Sequence, residues 1–284
     1  MRYYTIMIDG EEKVAVSANG TELFLIPDVQ DMNALIISGQ RVTSVDGLPP
    51  VEGDYRVLSP IPRPRQDVIC LGVNYASHGK EMWDAGKRDV ALNHPNPIFF
   101  AKRVNRANDP DGIIPIYPDL DPNIDYEVEL GVVLGRDAKN VREEDVADYV
   151  FGYTIVNDIS ARITQSKHTQ WYFGKSFDGY TPIGPCIVSA GEFAFPPVQR
   201  LACRVNGEVR QDSCTDRMIT GIAEIVALLS RGMTLLAGTI IATGTPDGVA
   251  AAMKPPRFLQ DGDVVECEIE GIGVLRNVMK TEAR

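Results

Sequence analysis

Short β-branched and apolar runs, separated by Gly, Pro and Asp, recur along most of this chain. They occupy residues 68–73, 97–102, 126–134, 152–156, 186–188, 201–205, 239–242, 263–269 and 273–279. Many brief strands joined by turns direct a chain to a β-rich sandwich or roll. Helical patterns are few, at 28–38, near 77–84, at 143–149 and at 218–230. The first 60 residues mix short apolar runs with one helix and read as a small α+β unit. Three prolines within the seven residues 59–65 then impose a stiff, extended connection. The expected fold class is therefore β-rich α+β, with a small N-terminal domain over residues 1–62 and a larger domain over 63–284. A chain of 284 residues can bury a sizeable core.

Charge narrows the class of partner. Lys plus Arg number 28 against 39 Asp plus Glu, a formal charge of −11, which repels phosphate backbones on average and argues against nucleic acid. The uncharged stretch 232–246 is 15 residues long, short of the roughly 20 needed to cross a bilayer as a helix, so no membrane span is expected. The N-terminus has no apolar core with a small-residue cleavage site, and the five scattered cysteines include no C-x-x-C pair. Reduced thiols and a cytoplasmic location are the expectation. P-loop, G-x-G-x-x-G and G-x-S-x-G motifs are absent, which removes sequence support for nucleotide cofactors and lowers that for a serine hydrolase.

The most informative segment is D-Y-E-V-E-L-G-V-V-L at 125–134. In one continuous strand Asp125, Glu127 and Glu129 share a face, and that face continues into Gly131 and Val133, placing it partly inside the protein. Carboxylates about 7 Å apart on a buried face need a cation or a basic partner. Asp158 ends the run G-Y-T-I-V-N-D at 152–158 and could join them. Three carboxylates without thiolates or paired histidines form a hard oxygen site suited to Mg²⁺, Mn²⁺ or Ca²⁺. The alternative is a solvated edge of an antiparallel sheet.

His78 and Glu81 lie three apart in N-Y-A-S-H-G-K-E, one face of a helical turn. A carboxylate beside an imidazole fixes its tautomer and raises its basicity, as a general base requires, although a surface ion pair has the same spacing. His94 and His168 sit in polar company and read as solvated. Lys175, among the aromatics of F-G-K-S-F-D-G-Y, could complement the carboxylates. The turn A-T-G-T-P-D-G at 242–248 offers backbone N–H groups and hydroxyls to an oxyanion.

Taken in order, N-Y-x-x-H-x-x-E, D-Y-E-V-E-L, G-Y-T-I-V-N-D-I-S-A-R, G-K-S-F-D-G-Y-T-P-I-G-P, V-N-G-E and A-T-G-T-P-D-G-V resemble the fumarylacetoacetate hydrolase family over about residues 65–280. The resemblance implies a mixed β-sandwich roll with a smaller N-terminal domain, assembled as a homodimer. It implies that Glu127, Glu129 and Asp158 ligate Mg²⁺ or Mn²⁺ and that His78 and Glu81 activate water on a lid. It further implies that Lys175 supports the substrate, and that Arg162, Gln165, Gly244 and Thr245 contact it. One position departs from the family: Ile163 stands where Asp commonly follows the arginine, which puts the orientation of Arg162 in doubt.

A 2-oxo acid can chelate a divalent cation through its carboxylate and keto oxygens, which lets the cation stabilise a developing enolate. The leading expectation is hydrolytic C–C cleavage of acylpyruvate-type 2,4-dioxo acids, with a small anionic 2-oxo acid as partner. Oxaloacetate decarboxylation, or isomerisation of a 2-hydroxydienedioate, would use the same site. A non-catalytic small-molecule binding protein is the alternative of another class. Residues 61–106 hold 8 basic against 4 acidic side chains, leaving −15 on the rest, so a basic segment near the metal could draw in the anion.

Overall fold

The computed structural model describes residues 1–86 and 96–282. Two large sheets carry the fold. The first has ten strands, in the order Phe24–Leu25, Glu11–Ser17, Arg2–Ile8, Ile183–Ser189, Val150–Asn157, Val128–Leu134, Ile240–Ala242, Val68–Gly72 and Ile98–Lys102, with Arg56–Leu58 added beside Arg2–Ile8. Only the pairing of Ile240–Ala242 with Val68–Gly72 is parallel. The second has five, in the order Glu208–Cys214, Arg200–Val205, Val264–Ile269, Gly273–Thr281 and Ile113–Ile116. The β-rich α+β class read from the sequence is the class observed.

The central strand Val128–Leu134 is buried at every position. Val128, Leu130, Val132 and Leu134 join Leu201, Cys203, Val265, Cys267 and Ile269 of the second sheet in one core. Val133, on the opposite face, joins a second core with Val156, Ile187 and the helix residues Met32, Leu35 and Ile36. Burial on both faces explains the nearly unbroken apolar run, and it carries Glu129 into the interior.

Strand positions follow the sequence reading, and the boundaries follow local chemistry. The helix expected over 28–38 begins at Met32, because the Asp31 side chain accepts from Ala34 N at 2.7 Å and caps it, and it stops at Gly39 in the left-handed region at φ 73°. The helix expected over 218–230 runs Ile222–Gly232 and buries Ile222, Ile225, Val226 and Leu229. The N-terminal 62 residues share the large sheet with the rest of the chain, Arg2 opposite Val188 and Tyr3 opposite Ile187.

Two corrections concern the acidic segment and its surroundings. Residues 125–134 do not form one strand. Ile124–Asp125 pairs with Ser160–Ala161 in a separate two-stranded ladder, and the long strand starts only at Val128. The Asp125 side chain serves other partners, described below. Of the basic segment 61–106, Lys102 reaches the site, bonded to Asp158, but the surface bases do not gather there. Arg63 and Arg106 reach Glu12, Arg103 lies 3.7 Å from Asp67, and Lys80 pairs with Asp84, so surface carboxylates already neutralise them. Lys87, Arg88, Asp89 and His94 lie outside the described residues.

Candidate active site

The geometry begins where two central strands end. Val150–Asn157 pairs with Val128–Leu134, Glu129 opposite Val156. Just beyond that ladder, Asp158 N donates to Glu127 O at 2.9 Å and Asn157 Oδ1 accepts from Glu127 N at 3.1 Å. These bonds set the three acidic side chains side by side. One carboxylate oxygen from each of Glu127, Glu129 and Asp158 lies within 4.8 Å of the others, and all three residues are buried.

Cationic side chains surround this cluster. Lys175 Nζ bridges Glu127 Oε2 at 2.8 Å and Asp158 Oδ2 at 2.7 Å, and sits 5.0 Å from the centre of the Phe100 ring. Lys102, fully buried at the end of its strand, donates to Asp158 Oδ1 at 2.6 Å and to Ile159 O at 3.1 Å. Arg162 donates through Nε to Asp125 Oδ2 at 2.9 Å and through Nη1 to Gln165 Oε1 at 3.1 Å. Its Nη2 lies 2.7 Å from Glu127 Oε1, an ion pair that ties the guanidinium to the acidic cluster. The doubt raised by Ile163 is resolved by Asp125, which supplies the orienting carboxylate.

With all four carboxylates ionised, Asp125, Glu127, Glu129 and Asp158 face Lys102, Arg162 and Lys175 with an excess of one negative charge, which a proton on Glu129 cancels until a cation takes its place. Burial acts to raise the Glu127 carboxyl, and the opposing field of Lys175, Arg162 and His78 overcomes it and holds Glu127 well below the ordinary carboxylate range. Burial, together with the like charges of Asp158 and Glu127, pushes Glu129 well above that range. Burial also opposes the Lys175 ammonium, but Asp158 and Glu127 hold its pKa above the ordinary lysine value.

Glu129 is the member left incomplete. Its Oε2 accepts from Gly244 N at 2.8 Å, while its Oε1 is buried and has no hydrogen-bond partner among the described residues. An orphaned carboxylate oxygen, two neighbouring carboxylates and the net negative charge of the ionised cluster fit a hard divalent cation of the Mg²⁺ or Mn²⁺ kind. Gly244 reaches Glu129 through φ 93°, where an added Cβ would lie 2.7 Å from Asn74 Cβ. Thr245 Oγ1 donates to Val128 O at 3.0 Å and accepts from Gln211 Nε2 at 2.8 Å.

His78 and Glu81 come together on the helix Ala76–Asp84, with Nδ1 2.8 Å from Glu81 Oε1. Glu81 also accepts from Gly248 N at 2.8 Å and Val249 N at 3.5 Å, so it acts as a carboxylate acceptor. Nδ1 then carries the proton, so in the neutral imidazole Nε2 holds the lone pair. His78, Glu127, Arg162, Gln165, Lys175 and Thr245 line one tight cleft of about 30 Å³, walled on its apolar side by Leu71, Met82, Phe100 and Trp171. His168 is exposed, its ring against Phe173 at 5.6 Å between centroids.

Every candidate residue read from the sequence thus falls at or beside this cleft. Lys102 was missed, because a lysine closing the run I-F-F-A-K carries no motif and meets Asp158 only through the fold. Asp125 was read as a partner of the acidic face, and it holds Arg162 instead.

Comparison with known proteins follows the same direction. Residues 67–280 match the family model described as fumarylacetoacetate (FAA) hydrolase, C-terminal. Oxaloacetate tautomerase YisK of Bacillus subtilis is 41% identical over 224 residues, 79% of this chain and 73% of that protein. The solved fumarylacetoacetate hydrolase of Exiguobacterium antarcticum superposes with a TM-score of 0.84 at 37% identity, covering 99% of this chain and 100% of the other. A 5-carboxymethyl-2-hydroxymuconate delta-isomerase from Mycobacterium smegmatis gives a TM-score of 0.77 at 31% identity, with both chains fully covered. Among the described residues no helix is long and apolar enough to cross a membrane.

Proposed function

The chain belongs to the fumarylacetoacetate hydrolase family, and on that premise we propose that it is a divalent-metal-dependent enzyme interconverting the enol and keto forms of a short 2-oxo dicarboxylate of the oxaloacetate class. The observation that carries this reading is that His78, held by Glu81, shares one cleft with the carboxylate cluster. An enol–keto exchange needs only that base and a cation beside it, whereas hydrolysis needs a placed water as well. The name of the Bacillus subtilis relative supports the same substrate class.

Glu127, Glu129 and Asp158 would hold the cation. Bound there, a divalent ion supplies Lewis acidity toward the substrate's keto oxygen and turns the ionised cluster's excess of one negative charge into an excess of one positive charge, suited to a dianion. The remaining roles belong to the protein. The Arg162 guanidinium and the amide of Gln165, both lining the cleft, orient a substrate carboxylate. The Lys175 ammonium, kept charged by its two carboxylates, favours negative charge on the enol oxygen. His78 Nε2 takes the enol proton and returns it at C3, so that one O–H bond breaks, one C–H bond forms and no co-reactant is consumed. Glu81 keeps the imidazole in the tautomer that can do this.

A second reading is hydrolysis of an acylpyruvate, favoured by that dyad, since the same Nε2 lone pair could deprotonate a water. Ultraviolet assays of the Mg²⁺ and Mn²⁺ forms with oxaloacetate, acetylpyruvate, fumarylpyruvate and a 2-hydroxydienedioate distinguish the two. Accelerated loss of the oxaloacetate enol band without CO₂ release is expected, with His78→Ala slowing it by about two to four orders of magnitude. Cleavage of acetylpyruvate at a higher kcat/KM than oxaloacetate turnover would reverse the ranking.

A further inference from the structure

Four consecutive backbone N–H groups in the turn after the last central strand are divided between two carboxylates. Those of Gly248 and Val249 donate to Glu81 at 2.8 and 3.5 Å. Those of Ala250 and Ala251 donate to Asp125, at 2.8 Å to Oδ1 and 3.0 Å to Oδ2. Glu81 holds His78, and Asp125 holds Arg162. The turn therefore joins, through hydrogen bonds to Glu81 and Asp125, the proton-transferring imidazole and the guanidinium.

The turn has little freedom to absorb a change at one end. Tyr126, adjacent to Asp125 in the chain, donates from its hydroxyl to Gly248 O at 2.9 Å. An added Cβ at Gly248, whose φ is 105°, would lie 1.9 Å from Arg210 O, so the backbone there runs against the neighbouring strand. Asp125 is fully buried and lies outside the Glu127, Glu129 and Asp158 cluster. A buried carboxylate that ligates nothing is retained at a desolvation cost, and four hydrogen bonds, including one from its neighbour Tyr126 N at 2.9 Å, satisfy it.

We propose that Asp125 is a positioning residue that sets Arg162 directly and the His78–Glu81 dyad through residues 248–251. The inference rests on the proposed function for the roles of Arg162 and His78, but not for the mechanical link between them. Loss of the Asp125 charge should then disturb an imidazole that Asp125 never touches.

The test uses ¹⁵N-labelled histidine in the full chain at one fixed pH, read in metal-free protein so that no turnover is required. Asp125→Asn and Ala250→Pro are compared with wild type. Proline at 250 removes one donor to Asp125 and suits the first position of the 3-10 turn Ala250–Ala252, preceded by Val249 at φ −67° and ψ 148°. In both variants the His78 Nδ1 and Nε2 resonances should move away from the wild-type Nδ1–H pattern while His168 stays in place. With oxaloacetate, KM should rise and kcat should fall, each at least threefold. Should either variant melt below the assay temperature, the other decides. Wild-type His78 resonances in a folded variant, or a rise in KM alone, would overturn the link. Shifted resonances without any oxaloacetate turnover in wild type would leave the link standing and refute the proposed function instead.

Discussion

Lys102→Met probes the charge arrangement most directly. The Lys102 ammonium is fully buried and contacts Asp158 Oδ1 at 2.6 Å and Ile159 O at 3.1 Å. Removing one member of a buried ion pair costs roughly 3–5 kcal/mol, because the other charge stays behind. Asp158 keeps Lys175 at 2.7 Å, which places the loss at the lower end, about 3 kcal/mol. For a chain of this size that is a drop of roughly 6–12 °C in thermal midpoint, read by circular dichroism in chelator-treated protein. The variant has one positive charge fewer at the site than wild type, so a divalent cation should bind at least about tenfold more tightly. Adding Mn²⁺ should therefore close part of the gap in midpoint, since a ligand specific for the native state stabilises it in proportion to its affinity. A variant as stable as wild type without metal, or one that binds Mn²⁺ more weakly, would refute the electrostatic reasoning.

Two further outcomes rest on backbone and sheet continuity. Gly244→Ala places a Cβ 2.7 Å from Asn74 Cβ at φ 93°, so the loop must shift and the N–H bond to Glu129 weaken; a destabilisation of about 2 kcal/mol with reduced metal affinity is expected in melts and titrations. Deleting residues 1–62, the proposed N-terminal domain, bares one edge of Ile183–Ser189 and strips Met32, Leu35 and Ile36 from the core that contains Val133 and Ile187. Residues 63–284 expressed alone should aggregate, and a soluble, cooperatively melting fragment would show the two parts to be independent.

How much of this could be read in advance depends on the range of the interactions. Glu127, Glu129 and Asp158 were legible because strand alternation and the end of a strand are local signals. His78 and Glu81 were legible for the same reason, being one turn apart. Asp125 misled, since alternation assumes an unbroken strand and the ladder is interrupted between Asp125 and Val128. Lys102 was invisible because its partner is 56 positions away and only sheet pairing brings them together. Strand Glu208–Cys214 escaped notice for a different reason: its exposed face is polar, and its burial alternates only through Gln211 and Ser213. The short helices Arg162–Lys167 and Tyr172–Lys175 carry no side-chain cap to announce them.

The central claim is that Glu127, Glu129 and Asp158 hold a divalent cation on which turnover depends. Titration calorimetry of chelator-treated full chain with Mn²⁺, in wild type and in Glu129→Gln, tests it most directly. Glu129→Gln keeps the shape of the side chain and removes the charge from the carboxylate whose oxygen lacks a partner among the described residues. One Mn²⁺ per chain is expected in wild type, with affinity reduced at least about a hundredfold in the variant and the oxaloacetate enol–keto rate rising in step with occupancy. Wild-type Mn²⁺ affinity in Glu129→Gln, or full turnover in chelated wild type, would contradict the account.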